Sequence, residues 1–254
     1  MPLAQFLPAN LFGALLIFAR IGTAMMLLPG FGEVYVPQRY RLLLALILSA
    51  LLLPILAPLL PVMPESPAEL VLVVGAEIAI GAFIGSLTRL LLAALETAGQ
   101  VISIQAGLSN AQIFNPLQAS QSAIPSALYS MLGILLVFVT NTHHMMLRGL
   151  LDSYMIFTPG HLPPLEDLSQ TVAHGVAGSF RLAIEIAAPF IVLGTAFFIG
   201  LGLIGRLVPQ LQVLFVSQPL QIMGGLLLLA VVMSAGMGWF LDGFVQQLTV
   251  IAPS

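Results

Sequence analysis

With 254 residues, 59% of them hydrophobic and only 7% charged, the chain lies far from water-soluble domains, which carry about 25% charged residues. A mean hydropathy of +1.08 marks it as an integral membrane protein, or one held inside an apolar assembly. The formal net charge of -3 offers no basic footprint for nucleic acid, and zero cysteines exclude disulfides, thiolate metal sites and cysteine nucleophiles. All basic residues are Arg, which keeps its charge and hydrogen-bonds as a fork where Lys would shed its proton.

The opening MPLAQFLPAN lacks the positive n-region of a cleavable signal, so the first apolar segment is expected to be retained. Asn10 reads as an N-cap after Pro8, and Leu11 to Leu28 as a spanning helix stopped by Pro29-Gly30. Arg20 sits in its middle with no acid near it in sequence. A charge at that depth costs roughly 2.5–3.5 kcal/mol on insertion scales, so Arg20 calls for a buried or inter-subunit partner. A link holding Glu33, Arg39 and Arg41 leads to a second helix from Tyr40 or Leu42 to about Leu60, loosened by Pro54 and Pro58. After the acidic PVMPESPAE, a third helix is predicted over about Ala68 to Leu95, with Glu77, Arg89 and Glu96 along it. Arg89 and Glu96 share nearly one face, which fits either an inward charged stripe or a solvated helix end at Glu96, and the pair Gly81-xxx-Gly85 has the spacing that lets two backbones approach.

The next stretch, QVISIQAGLSNAQIFNPLQASQ from Gln100 to Gln121, is the most informative in the chain. No Asp, Glu, Lys or Arg occurs between Glu96 and Arg148, yet the stretch is crowded with Gln, Ser and Asn and broken by Gly107 and Pro116. In hydrocarbon its unpaired backbone groups would cost several kcal/mol each, so at membrane depth it must be buried in protein or line a cavity. An ordinary inter-helix loop is the competing reading.

A fourth helix is predicted from Pro125 in its first turn to about Leu147, ending in THHMMLRG. His143 and His144 point about 100° apart on a helix and have no carboxylate at i+3 or i+4, so they are read as capping or interfacial groups and not as a metal site. Asp152 to Gln170 looks like a loop, with three prolines and three acids. A fifth helix starts near Ser169, carries the i,i+4 pair Arg181 and Glu185, and should kink at Pro189. Arg206 stands in GRLVPQLQVLFVSQP, before a sixth helix from about Leu220 to Leu241. Arg39, Arg41 and Arg206 fall on one side of the apolar segments, and Glu65, Glu69, Glu166, Asp167 and Asp242 on the other. Excess Arg marks cytoplasmic loops, so both termini are expected outside.

No HExxH, GxSxG, Walker loop or dinucleotide fingerprint is present, and no catalytic residue, metal or cofactor is assigned. Methionines such as Met25-Met26 and Met145-Met146 lie on apolar runs and are read as packing groups. One alternative is a small-molecule or ion transporter using Arg20 and Glu77 at the bundle centre. Against it stand the absence of an internal repeat and of an acidic pair for coupling ions.

Four blocks, in order, resemble the FliR family of flagellar biosynthesis proteins and its relatives in virulence type III secretion: FARIGTAMMLLPGFGEVYVPQRYRLLLALILS (18–49), GQVISIQAGLSNAQIFNP (99–116), FVTNTHHMMLRGLLDSY (138–154) and GLIGRLVPQLQVLFVSQPLQIMGGLLLL (202–229). The last is the most specific, with Arg206, Pro209, Gln210 and Pro219 in register. The resemblance implies one export-gate domain over 1–254, an all-α membrane-associated fold of about six hydrophobic helices in long tilted hairpins. It implies assembly with FliP and FliQ homologues into a larger helical complex, with an FlhB homologue around it, in the inner membrane at the flagellar basal body. Unfolded export substrates would pass through that complex. The family's plug loop would fall on about Ala106 to Ser122, with Gly107, Leu108, Ser109, Asn110, Ile113, Phe114, Asn115 and Pro116 closing the channel. Arg20, Glu77, Arg89, Arg181, Glu185 and Arg206 would then be buried or inter-subunit charges, and Gly99 and Gly107 would let the loop move.

Overall fold

The computed structural model describes residues 3–109, 123–161, 163–207 and 213–251. Among them are seven α-helices and one short 3-10 turn: α1 (Leu3–Leu27), α2 (Gln38–Leu56, continued by the 3-10 turn Ala57–Leu59), α3 (Pro67–Gln105), α4 (Ile124–Val139), α5 (Thr142–Ile156), α6 (Leu165–Leu207) and α7 (Val213–Ile251). The all-α class and the set of long apolar helices agree with expectation. Among the described residues five helices are long and apolar enough to cross a membrane, and six spans result if the bent pair α4 and α5 counts as one.

The boundaries differ instructively. α1 begins at Leu3 and passes through Pro8, so Asn10 lies inside the helix and caps nothing. α3 continues past Leu95 to Gln105, taking in Glu96 and the first residues of the neutral stretch. α6 starts at Leu165 and shortens the presumed loop, while α7 absorbs Asp242 and runs to Ile251. α6 and α7 continue through Pro189 and Pro219. Prolines persist inside membrane helices because neighbouring groups re-satisfy the freed carbonyls. At 39, 43 and 39 residues, α3, α6 and α7 are each about 58 Å long or more at 1.5 Å per residue. A hydrocarbon core of about 30 Å needs only half of that.

The predicted fourth helix is two. α4 stops at Val139, and α5 starts beyond Asn141, whose backbone is left-handed (φ 59°). Asn tolerates that conformation where most residues do not. The Asn141 carbonyl accepts from His144 N–H at 3.0 Å, so His143 and His144 begin a helix instead of ending one.

The chain forms two compact units. The first comprises residues 1–90, 140–175 and 245–254. Its core is the buried stripe Phe12, Leu16, Ile17, Ile21, Ala24 and Met25 of α1, at helical spacing, with Leu28 just beyond the helix end. Gly81 and Gly85 bring α3 onto it: a Cβ on Gly81 would collide with the Arg20 carbonyl oxygen, and one on Gly85 would lie 2.7 Å from Leu27 Cβ. Arg41 folds the α1–α2 link around itself, donating to the Val36, Gly32 and Glu33 carbonyls. α2 buries only Ala45, Ser49 and Leu56, leaving Leu43, Leu46, Leu51 and Ile55 exposed.

The second unit comprises residues 91–139 and 176–244. Leu92, Leu95, Ala98 and Ile102 of α3, Tyr129 and Val137 of α4, Ile186 and Phe190 of α6, and Phe240 and Phe244 of α7 are buried in it. Gly99 is no hinge. It lies within α3, where a Cβ would run into the Ser126 backbone of α4, and the Ser126 hydroxyl donates to the Glu96 carbonyl at 2.8 Å.

Candidate functional site

Arg20 and Glu77, 57 positions apart, meet inside the first unit with side chains 0% exposed. Arg20 Nε donates to Glu77 Oε2 at 2.6 Å and Nη2 to Glu77 Oε1 at 3.1 Å, a two-pronged pair. Nη1 reaches the Ser153 carbonyl (3.1 Å) and hydroxyl (3.4 Å), and Nη2 also reaches the Phe157 carbonyl (3.2 Å). Glu77 Oε1 accepts in addition from Gly160 N–H at 2.8 Å. The Tyr154 ring covers the guanidinium, 4.1 Å from its centroid. Every nitrogen of Arg20 and both oxygens of Glu77 are therefore engaged within the chain. The arrangement clamps α1, α3, α5 and the turn after α5; it leaves no open donor for a ligand. Gly160 suits the turn because its φ is +84°.

In the second unit, α3 ends in a fixed manner. Leu108 N–H donates to the Ser103 carbonyl at 2.9 Å and Gly107 N–H to the Ile104 carbonyl at 3.2 Å, with Gly107 left-handed at φ +72°. That is a Schellman motif, in which glycine stops a helix. The Gln221 side chain of α7 donates to the Gln105 carbonyl at 2.9 Å. Gly107 is buried, and Leu108 and Ser109 are half-buried. Gly107 thus serves here as a helix stop. Asn110, Ile113, Phe114, Asn115 and Pro116 lie outside the described residues, as do Pro209 and Gln210.

The remaining candidates do not converge. Arg89 faces Glu33 across 3.6 Å and is 40% exposed, while Glu96 is exposed, so the Arg89–Glu96 stripe is not formed. Arg181 and Glu185 pair at 2.8 Å on an open face, 83% and 47% exposed. Arg206 is exposed in the last turn of α6, where a cation complements the helix dipole. Pro219 is exposed within α7.

Ser153, Tyr154 and Phe157 as partners of Arg20, and Gly160 as a partner of Glu77, are not legible in the sequence, because nothing in their spacing points across 83 to 137 positions. The link from Gln221 to Gln105 carries no sequence signal either, because the acceptor is a backbone carbonyl and the donor a neutral side chain on an apolar helix.

Residues 11–247 match the family model described as bacterial export proteins, family 1. The chain belongs to this family. It is 38% identical to the flagellar biosynthetic protein FliR of Caulobacter vibrioides over 87% of its own length and 88% of that protein. Identity to FliR of Bacillus subtilis is 28% over 87% and 85% of the two chains. The Yop proteins translocation protein T of Yersinia pestis is 27% identical over 60% of this chain and 59% of that one. Family membership, with the apolar helices, makes the chain a membrane protein of a type III protein-export apparatus. The matched region contains the Arg20–Glu77 clamp, the Gly107 helix stop and the Arg206 to Pro219 block.

Proposed function

We propose that the chain is a structural, non-catalytic subunit of the flagellar type III export gate, in the bacterial inner membrane at the flagellar basal body. In this reading it builds the channel with FliP and FliQ homologues, an FlhB homologue embraces the assembly, and unfolded substrates pass through. The observation that carries it is the family match along residues 11–247, which runs through both compact units and supports one functional domain over 1–254. The exposed apolar faces of α2, α6 and α7, with Leu46, Leu51, Val192, Ile199, Leu203 and Leu227 on them, suit a chain that is completed by lipid and partner helices. Arg89, Arg181, Glu185 and Arg206 are among the exposed charges that such partners could meet.

The segment from Gly107 to Pro116 closes the channel. Its neutrality supports that role: fixed charge would hold substrates and attract ions, whereas an apolar constriction of Ile113 and Phe114 would exclude ions by dewetting. A small-molecule transporter would have to prise Arg20 from Glu77, and among the described residues every polar group at that site is engaged within the chain. Deleting Ala111 to Asn115 tests the proposal. The assembled complex is expected to form in normal amount and to conduct ions without substrate; an unchanged conductance would remove the closure role from this segment.

A further inference from the structure

We infer that Gln221 is a positioning residue that fixes where the chain leaves α3, a role that rests on the closure reading of the segment beyond Gly107. A helix end leaves its last four carbonyls without internal partners, and at the end of α3 each of the four is taken. Ile102 accepts from Ala106 N–H at 2.8 Å, Ser103 from Leu108 N–H at 2.9 Å, and Ile104 from Gly107 N–H at 3.2 Å. The fourth, on Gln105, is taken by the Gln221 amide of α7 at 2.9 Å. Three of the bonds are local and would form in any Schellman stop; the fourth ties the stop to another helix.

Two close approaches sharpen the tie. Gly225, one turn along α7 from Gln221, lies where a Cβ would collide with that of Ala106. Gly194 of α6 lies where a Cβ would collide with the Gln105 side-chain oxygen. The α3 terminus is thus gripped from α7 by a hydrogen bond and by backbone contact, and from α6 by side-chain packing. Any substitution on α7 that frees the Gln105 carbonyl releases the exit direction of the chain at Gly107 without touching the segment itself.

The test uses the full assembled complex carrying Gln221→Met, which keeps the length and removes the donor, and Gln221→Lys, which restores a donor. Amide exchange over residues 103–108 is expected to rise about five- to tenfold in Q221M, the loss of one net hydrogen bond, and to return towards wild type in Q221K. Substrate-free ion conductance should rise in Q221M and fall back in Q221K. Unchanged exchange in Q221M would overturn the inference. So would faster exchange with unchanged conductance while the 111–115 deletion leaks, an outcome that leaves the closure reading intact. A deletion that does not leak removes that reading itself, and this role with it. Failure of both Q221M and Q221K to assemble would make Gln221 a packing residue and equally overturn the inference.

Discussion

Two Arg–Glu pairs in this chain are made of the same groups and do opposite things. Arg181 and Glu185 stand one helical turn apart on α6, 83% and 47% exposed, joined by one bond of 2.8 Å. Arg20 and Glu77 come from separate helices, are wholly buried, and are bound at both prongs and further to Ser153, Phe157 and Gly160. In the exposed pair, solvent can replace either partner, and such pairs contribute little. In the buried pair nothing can. Desolvating two charges costs several kcal/mol per ion, and only complete pairing offsets it. Exposure, not the identity of the ions, decides what each pair does.

The largest effect should come from breaking the buried pair on one side. Glu77→Leu leaves the Arg20 guanidinium buried without its counter-ion, and is expected to cost about 3–5 kcal/mol. It should be read as a lowered melting temperature and reduced yield of the purified complex. The double variant R20M/E77L removes both charges and should recover only part of that loss, because the Ser153 and Phe157 carbonyls and the Gly160 N–H lose their partners. The charge swap R20E/E77R should not recover it. A carboxylate at position 20 would face the Ser153 and Phe157 carbonyls, and a guanidinium at 77 would face the Gly160 N–H. A fully restored swap would show that attraction between the ions alone holds the site, and would break the comparison.

A smaller effect is expected where α1 and α3 touch, because the clamp needs the two helices at this distance. Gly81→Ala places a methyl against the Arg20 carbonyl, an overpacking expected to cost about 1–3 kcal/mol. Gly75, on the same helix, has nothing within 4 Å of its Cβ position. Gly75→Ala should therefore be neutral or stabilise by about 0.5–1 kcal/mol, as Ala does in a helix interior. Equal melting temperatures for the two variants would mean that the helices do not cross at Gly81.

How much of this was legible in the sequence follows the same division. Periodicity and hydropathy revealed the helices, and Gly81-xxx-Gly85 pointed to a close crossing, because those signals are local. Arg20 announced the need for a partner, since a lone charge in an apolar run is costly wherever it folds. The identity of the partner set could not be read: Ser153 and Phe157 contribute backbone carbonyls, which every residue has. The helix stop at Gly107 shows in the sequence as a break, where a fixed turn and a mobile joint look alike. Its tie to α7 runs through Gln221, 116 positions from Gln105. The α4–α5 break was missed because THHMMLRG reads on as helix by composition, and the signal is the conformational tolerance of one Asn141.

The smallest expected effect is the most informative about assembly. Arg181→Gln in the isolated chain should leave the melting temperature unchanged, since water replaces Glu185 around an exposed guanidinium and Gln keeps the helix. The same substitution measured in the assembled complex separates two cases. If the open face of α6 remains in water or at a lipid headgroup, the complex will be as stable as wild type. If a partner helix covers Arg181, the pair acquires the character of Arg20 and Glu77, and the complex should lose stability and yield while the isolated chain does not. A loss confined to the assembly would mark this face as an interface and Arg181 as one of its buried charges. The absence of any loss in both states would leave Arg181 a solvated surface residue and remove it from the inter-subunit set.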